Sequence, residues 1–589
     1  MNINQLIEQI RNKPATMSNI THWEEVEERE AVYGPFPDSL RQELIDVLAK
    51  KGISRLYSHQ SKAIGLVDQG KNLVVVTPTA SGKTLCYNLP VVNSILSNDD
   101  ARALYLFPTK ALSQDQVSEL HEMLSMLDHP IKTYTYDGDT PVGARKAIRQ
   151  AGHIVVTNPD MLHSGIMPHH TKWVKLFENL KYVVIDEVHT YRGVFGSHMA
   201  NVIRRLRRIC RFYGSDPQFI SCSATIANPK ELTERIIGQE TDLLQENGAP
   251  SGKKHLIFYN PPVVNRQLGI RKSSALESRK LATSFLLNGI QTIVFARSRL
   301  LVEVLITYLK QVLKDKLGKS TSIRGYRGGY LPNQRREIEK GLRDGSIMGV
   351  VSTNALELGI DIGRLQVCIM CGYPGTIAST WQQAGRAGRR SDASIAIMVA
   401  SSNPLDQYII QHPEYFLKAN PEMGLISPNN LYILMSHVKC ATFELPFEDG
   451  EDFGVDTLNG ILEYLEDEKV LRHVGGRWHW MADNFPANSV SLRSAADENF
   501  IIIDISLPQH RVIGEIDRFS APMFLHEEAI YIHEGQQFQV EKLDFEEKKA
   551  YVTRVDVDYY TDANLAVNLK VLDVFKSQED EGIGRGCGE

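Results

Sequence analysis

Val74-Val-Val-Thr-Pro-Thr-Ala-Ser-Gly-Lys-Thr84 is the stretch that decides the fold of this 589-residue chain. A β-branched run, Leu73 to Val76, reads as a buried parallel strand. Pro78 breaks it, small residues follow, and Gly82-Lys83-Thr84 opens an apolar-periodic helix. A phosphate-binding loop requires that strand–loop–helix order. Backbone N–H groups of Thr79, Ala80, Ser81 and Gly82 face the phosphates at a helix N-terminus, the Lys83 ammonium reaches the terminal ones, and the Thr84 hydroxyl helps hold Mg²⁺. The loop lacks the first glycine of the common pattern, since Thr77 stands there. The bland alternative is an ordinary strand-to-helix turn that carries a lysine, and the rest of the chain decides between them.

The length suits roughly four domains of about 150 residues. The composition, 42% hydrophobic and 23% charged, is that of a globular protein. No apolar run reaches membrane-spanning length, and Met1 to Lys13 lacks the apolar core of a secretory leader. Seven scattered cysteines predict a reducing compartment, the cytosol, without a disulfide framework. Cys368 and Cys371 have metal-like spacing but sit in an apolar run, so core packing is their expected role. The net charge of −6 does not advertise nucleic acid, so any such binding must come from local patches.

The first forty residues, with Trp23-Glu-Glu-Val-Glu-Glu-Arg-Glu30, read as a lead-in with a surface helix. Gln60 follows, on a helix about twenty residues before Lys83; its amide can donate to and accept from an adenine edge at once. After the loop, strands are predicted near residues 103–107, 132–136, 153–157, 182–185 and 218–222, with helices between. That beat implies a doubly wound parallel sheet with ligands at the strands' carboxyl ends. At one such end stands Ile185-Asp-Glu-Val-His189. Two adjacent carboxylates there suit a metal residue, Asp186, and a catalytic base or water-positioner, Glu187. The basic run Arg204-Arg-Leu-Arg-Arg-Ile-Cys-Arg211 reads as a solvated helix face.

A polar linker is expected around residues 239–254, followed by a second strand–helix beat with strands near 291–295, 323–326, 347–352, 366–371 and 394–399. It has no phosphate loop of its own. Gln382-Gln-Ala-Gly-Arg-Ala-Gly-Arg389 instead places Arg386 and Arg389 three apart, on one helical face, where guanidinium groups would meet charge developing on a γ-phosphate. Ser352 to Gly363 brings an acid, Asp361, toward the same cleft.

Taken in order, Gln60, TPTASGKT, PTKAL, TNPDML, DEVH, SAT, IVFARSR, TNALELGIDIG and QQAGRAGR resemble the motif set of superfamily-two DExH-box helicases over about residues 50–400. Within them, Tyr326 to Glu337 and the region beyond 400 resemble the bacterial MrfA (YprA) DNA-repair helicases and their fungal RecQ-like relatives. The resemblance implies two tandem RecA-like domains and an ATP-driven motor, with Mg²⁺ as cofactor, moving along single-stranded DNA with three-prime to five-prime polarity. It assigns Gln60 to adenine, and Lys83, Thr84, Asp186, Glu187 and Asp361 to nucleotide, metal and hydrolysis. It assigns Gln382, Arg386 and Arg389 to action from the second domain, and Ser223, Thr225 and His189 to coupling. Thr109, Lys110, Thr157, Asn158, Arg297 and Thr353 would touch the nucleic-acid backbone. The partner implied is single-stranded or tailed duplex DNA, the protein acting as a monomer away from membranes. An RNA helicase, or an ATP-switched clamp or translocase that does not unwind, are the competing readings.

Beyond 405 the beat stops. Helices near 429 and 455–466 followed by a Gly475-Gly476 hairpin fit a winged-helix-like domain that could dock nucleic acid. Alternating strands over 490–557 then fit a small all-β barrel. The expected organisation is a lead-in (1–40), a first RecA-like ATPase domain (41–245), a second (246–404), a winged-helix-like domain (405–485), a small barrel (486–575) and a structureless tail (576–589). The cysteine-rich module of the family is expected to be absent, leaving no structural zinc site. Between Asp361 and Gln382 only a short turn, Gly372-Tyr-Pro-Gly-Thr376, remains outside a strand, so strand splitting would rest on 405–575.

Overall fold

The β-branched runs become fully buried strands, because a parallel sheet covered by helices on both faces leaves no residue of the strand in water. In the computed structural model, which describes all residues except 139, 318–321, 360, 361, 364, 389–392, 494–498, 558, 562, 564–573, 581, 582 and 589, the chain forms two compact units, Met1–Asp497 and Glu498–Glu589. Asp139, Asp361 and Arg389 therefore lie outside the described residues.

The first unit holds two seven-stranded sheets. One runs, edge to edge, Asp242–Leu244, Leu73–Val76, Gln218–Ser223, Leu180–Ile185, Arg102–Leu106, Ile154–Thr157 and Thr133–Thr135, all parallel. The other runs Ile20–Val26, Lys254–Tyr259, Ser394–Val399, Val367–Cys371, Thr292–Ala296, Gly349–Ser352 and Ile323–Tyr326, parallel except for its first strand. Carboxyl ends of parallel strands share one edge of a sheet, so each sheet presents its loops along one side. Cys368 and Cys371 are buried in the core of the second, as their apolar setting predicts.

Three local expectations are corrected. Ile20–Val26 is an edge strand rather than a surface helix; Ile20, Thr21, Trp23 and Val26 favour extended backbone, and its acids suit an edge that must not pair further. Trp23 Nε1 donates to His255 Nδ1 (3.1 Å), fastening it to the neighbouring strand. Within the expected linker, Asp242–Leu244 extends the first sheet and Lys254–Tyr259 opens the second. The tail forms an antiparallel pair, Val574–Asp580 with Ile583–Gly588.

The basic run is corrected too. It lies on the Gly193–Phe212 helix, and Arg205 is completely buried against the Leu431–Glu444 helix. Arg205 Nε donates to Glu444 Oε2 (3.0 Å), and Nη2 to Oε1. Arg208 Nη1 and Nη2 donate to the carbonyls of Ala441, Leu445 and Pro446 (2.7–2.8 Å), at and just beyond that helix's C-terminus. Three histidines complete the cluster. His163 Nδ1 (2.7 Å) and His437 Nδ1 (3.2 Å) accept from Arg205, which leaves His437 Nε2 to donate to His198 Nδ1 (2.9 Å).

Burial, with Arg205 beside it, pulls the His163 pKa down to about 3 and His437 well below its usual value; burial alone lowers His198. A depressed folded-state pKa means that stability is present above about 6.5, the unfolded value, and is lost as pH falls through the window toward 3. The melting temperature is expected to drop steeply there, and His437→Gln to flatten that dependence. An unchanged slope in pH-resolved thermal melts would remove the cluster from the account.

After the Leu431–Glu444 helix come the Leu458–Asp467 helix and a three-stranded sheet of Phe447–Glu448, Arg477–Trp480 and Leu471–Val474. Gly475 (φ 60°) and Gly476 (φ 78°) both take left-handed backbone, which a tight two-residue hairpin of this kind demands. The second unit contains a five-stranded sheet ordered Arg511–Asp517, Asn499–Asp504, Lys549–Arg554, Gln536–Asp544 and Ile530–His533. Its outer strands do not pair with each other among the described residues, so closure into a barrel is not observed. No described helix is long and apolar enough to cross a membrane, and no group of three or more described His, Cys, Asp or Glu side chains is placed to hold a metal.

Candidate nucleotide site and facing groove

Leu73–Val76 delivers the chain to Thr77, and the loop from Pro78 to Gly82 turns it into the Lys83–Ser97 helix. Ala80 (φ 62°) and Gly82 (φ 79°) adopt left-handed backbone. For Ala80 that costs on the order of 1–2 kcal/mol, and such alternation turns successive N–H groups inward as an anion-binding nest. The hydroxyls of Thr77 and Ser81, 2.6 Å apart, brace the loop. Lys83 Nζ folds over it, donating to the carbonyls of Thr77 (2.6 Å) and Pro78 (3.2 Å). Thr84 Oγ1 donates to Gln116 Oε1 (3.0 Å), a partner that no motif announced.

Leu180–Ile185 carries the two acids to the same place. Glu187 itself is left-handed (φ 53°), a strained conformation in a non-glycine residue. Asp186 Oδ1 accepts from the Glu187 N–H (2.8 Å). Burial, then the neighbouring Glu187, pushes the Asp186 pKa up to about 7, while Lys83 opposes the rise. For Glu187, burial acts against ionisation, but His189, Lys83, Arg386 and the Gly359 N–H outweigh it and hold the carboxyl below its usual range. A base kept ionised beside a phosphate loop is chemically apt.

The loop from Thr79 to Leu85, Gln116, Asp186, Glu187, Arg343, Gly359, Gly363 and Gly388 line one cavity of about 670 Å³ between the two sheets' lobes. Closeness there depends on glycine: a Cβ on Gly385 would lie 2.5 Å from Thr79 Oγ1, and one on Gly359 3.0 Å from Glu187 Oε1. Gly359 N donates to Glu187 Oε1 (3.3 Å), and Arg343 Nη1 crosses to Asp115 Oδ1 (3.1 Å). Ala224, between Ser223 and Thr225, donates its N–H to His189 Nδ1 (3.1 Å). Burial lowers the His189 pKa to about 4, and its Nε2 lies 2.7 Å from the Gln382 side-chain amide nitrogen. One imidazole thus joins three motifs across the cleft. Arg386 is fully buried and donates to the Glu357 carbonyl through Nε (3.1 Å) and Nη2 (2.6 Å). Lys254 Nζ holds the carbonyls of Ala384 and Ala387 on either side of it (2.8 and 2.9 Å), and burial lowers that ammonium's pKa to about 8.

The remaining predicted residues are placed less uniformly. Gln60 is buried behind the loop, its amide donating to Gly82 O (3.0 Å) and accepting from Tyr57 N (2.9 Å). A second cavity, about 390 Å³, is lined by Thr109, His189, Arg192, Tyr326, Arg335, Asn354, Glu357 and Gln382 among others. Thr109 caps the Lys110–Leu124 helix and Thr353 the short turn Asn354–Leu356. Thr157 Oγ1 donates to Tyr136 O (2.6 Å) and Asn158 caps Pro159–Met161, so both are engaged internally. Arg297 donates through Nε to Tyr373 O (2.8 Å) and through Nη2 to Asp406. Sequence reading missed Lys254, Gln116 and Arg343 because nothing local marks them: packing within the second lobe gives Lys254 its carbonyls, packing within the first sets Gln116 against Thr84, and Arg343 alone of the three reaches across to Asp115.

Comparison with known proteins matches the model of the DEAD/DEAH box helicase over residues 57–232, the helicase conserved C-terminal domain over 278–391, and the winged helix domain of ATP-dependent helicase HRQ1 over 426–495. The chain is 61% identical over 562 residues to the uncharacterized ATP-dependent helicase YprA of Bacillus subtilis (strain 168), covering 95% of this chain and 75% of that protein. It is 38% identical over 575 residues to ATP-dependent helicase HRQ1 of Saccharomyces cerevisiae, covering 95% of this chain and 53% of that one, so it spans about half of the yeast relative. Among solved structures, the DUF1998 helicase MrfA bound to DNA and AMPPNP superposes with a TM-score of 0.93 at 60% identity, covering 97% of this chain and 79% of that chain.

Proposed function

This chain belongs to the family of ATP-dependent helicases that includes YprA, and from that premise we propose that it is an ATP-hydrolysing motor that tracks single-stranded DNA three-prime to five-prime in DNA repair. The observation that carries the reading is the inter-lobe contact set: Gly385 against Thr79, Gly359 N–H on Glu187, and His189 joining Ala224 to Gln382. A nucleotide in that cleft touches both lobes, so hydrolysis changes what holds them together.

In this reading the nest from Thr79 to Gly82, with Lys83, takes the phosphates of ATP. Glu187 orients and deprotonates the attacking water, and Arg386, with Arg389 and Gln382, offsets charge developing on the γ-phosphate. Thr84 and Asp186, a hydroxyl and a carboxylate that both line the cavity, are a hard oxygen set that suits Mg²⁺. Mg²⁺ would neutralise phosphate charge there. Asp361 is assigned to the same site, and Gln60 to the adenine end, where its remaining amide donor would act. Ser223, Thr225 and His189 couple hydrolysis to movement. Thr109, Lys110, Thr157, Asn158, Arg297 and Thr353 are assigned to the DNA backbone, a mode of contact that gives affinity without sequence readout. The protein is proposed to work as a monomer in the bacterial cytosol or nucleoid.

Lys83→Ala tests the reading. Losing an electrostatic stabiliser of the transition state costs about 10²–10³-fold, so ATP turnover should fall that far while single-strand binding, made elsewhere, changes little. A Lys83→Ala protein that hydrolysed ATP near the normal rate would sink the assignment. Stimulation of turnover by RNA but not DNA would overturn the choice of polymer.

A further inference from the structure

Between the first and second strands of the second parallel sheet's carboxyl edge a separate hairpin stands out of the fold. It spans 261–272, pairing Val263–Asn265 with Ile270–Arg271 in antiparallel register. Its apolar side chains point into solvent: Val264 is 57% exposed, Leu268 72% and Ile270 48%. Isolated two-stranded hairpins are weak, but this one is pinned. Asn265 Oδ1 accepts from the N–H groups of Gln267 and Leu268 (3.0 and 3.1 Å) at the tip, and Arg271 Nη1 closes the neck on Pro261 O (2.9 Å).

Its root is tied to a residue proposed to hold the nucleic-acid strand. Asn260 and Gln407 exchange side-chain amide bonds (3.1 and 3.2 Å), and Gln407 Nε2 also donates to Ser401 O (2.6 Å). Ser401 donates its N–H and hydroxyl to Asp406 (2.8 and 2.7 Å), and Asp406 holds the Arg297 guanidinium. The hairpin and Arg297 therefore rise from the same sheet edge as one braced assembly. Charge completes the picture. Residues 261–272 carry Arg266, Arg271 and Lys272 and no acid; Lys272 Nζ lies 3.8 Å from Glu277 Oε1 at the base, and Arg266 is the cation within the tip itself.

We propose that this hairpin is the strand-separating wedge of the motor: Val264, Leu268 and Ile270 abut the terminal base pair of a duplex while Arg266 and its neighbours hold the phosphates. Apolar side chains that press on a base step unstack it, and cations beside them secure the separated backbone. The proposal rests on the motor reading above, and it moves strand splitting from the 405–575 region to the second sheet's own edge.

The test is the double substitution Val264→Ser with Leu268→Ser in the full chain; both positions are exposed, so the core is untouched. Distant, independent sites change each other little, so single-strand-stimulated ATP turnover should stay within about twofold of the parent. Displacement of a strand from a three-prime-tailed duplex should fall at least about tenfold. In a binding-only readout, 2-aminopurine at the first base pair should brighten with the parent and stay dark with the variant. Equal displacement and equal brightening would overturn the wedge, as would a loss of turnover matching the loss of displacement, which would make the hairpin part of the engine. A parent chain whose hydrolysis ignores DNA would instead overturn the motor reading, and the wedge with it.

Discussion

Glu187→Gln is expected to lower ATP turnover by about 10²–10⁴-fold while leaving nucleotide binding intact. The amide is nearly isosteric with the carboxylate but accepts no proton, so the loss should appear in kcat rather than in KM. Three features of the site make that separation sharp. Glu187 stands in left-handed backbone (φ 53°), a strained conformation that the surrounding structure holds in place. Gly359 N–H fixes one of its oxygens (3.3 Å), and His189 Nδ1 lies 3.4 Å from the other. Because turnover stalls after binding, the variant should also accumulate in a tighter DNA complex when ATP is present. Unchanged turnover in a single-turnover assay would move the role to another acid.

Glu444→Ala should destabilise the first unit by about 3–5 kcal/mol, measured by denaturant unfolding, because it strands the Arg205 guanidinium in the interior. Both side chains are essentially sealed from water, at 0% and 1% exposure. The remaining acceptors of Arg205, His163 Nδ1 and His437 Nδ1, are neutral and cannot replace a carboxylate. Replacing both partners by apolar residues, Arg205→Met with Glu444→Leu, should recover most of the loss, since removing a whole buried pair is far less costly than breaking it. Equal destabilisation by the single and double variants would show that packing rather than charge dominates the contact.

The nucleotide loop, the paired acids and the two parallel sheets were legible because each is a local pattern. A β-branched run that ends in Pro and small residues, then Gly-Lys-Thr, has few ways to fold, and strand ends place their polar residues at one edge. Ile323–Tyr326 and Ser394–Val399 appear where the pattern put them. Ile20–Val26 was not legible, because its four consecutive charged and aromatic residues carry no clean alternation and its partner lies more than two hundred residues away. The Arg204 to Arg211 run misled for a related reason. A cluster of arginines on a helix is normally solvated, and only the Leu431–Glu444 helix supplies the acid and carbonyls that make its burial tolerable.

By itself the sequence determined the chemistry available to this protein: a lysine on a phosphate loop, two acids at a strand end, and a glycine- and arginine-rich segment to meet them, although the helix expected there ends at Ala384, before Arg386. Tertiary structure alone decided the distances at which these act. Gly385 meets Thr79, Lys254 holds the carbonyls around Arg386, and His189 spans from Ala224 to Gln382, all through packing of segments far apart in the chain. Local propensity specifies strands, helices and their ends. Which side chain is desolvated, and against what, depends on tertiary packing; that burial shifts the pKa values of Asp186 and His189, while neighbouring charges and the Gly359 N–H set that of Glu187 against it.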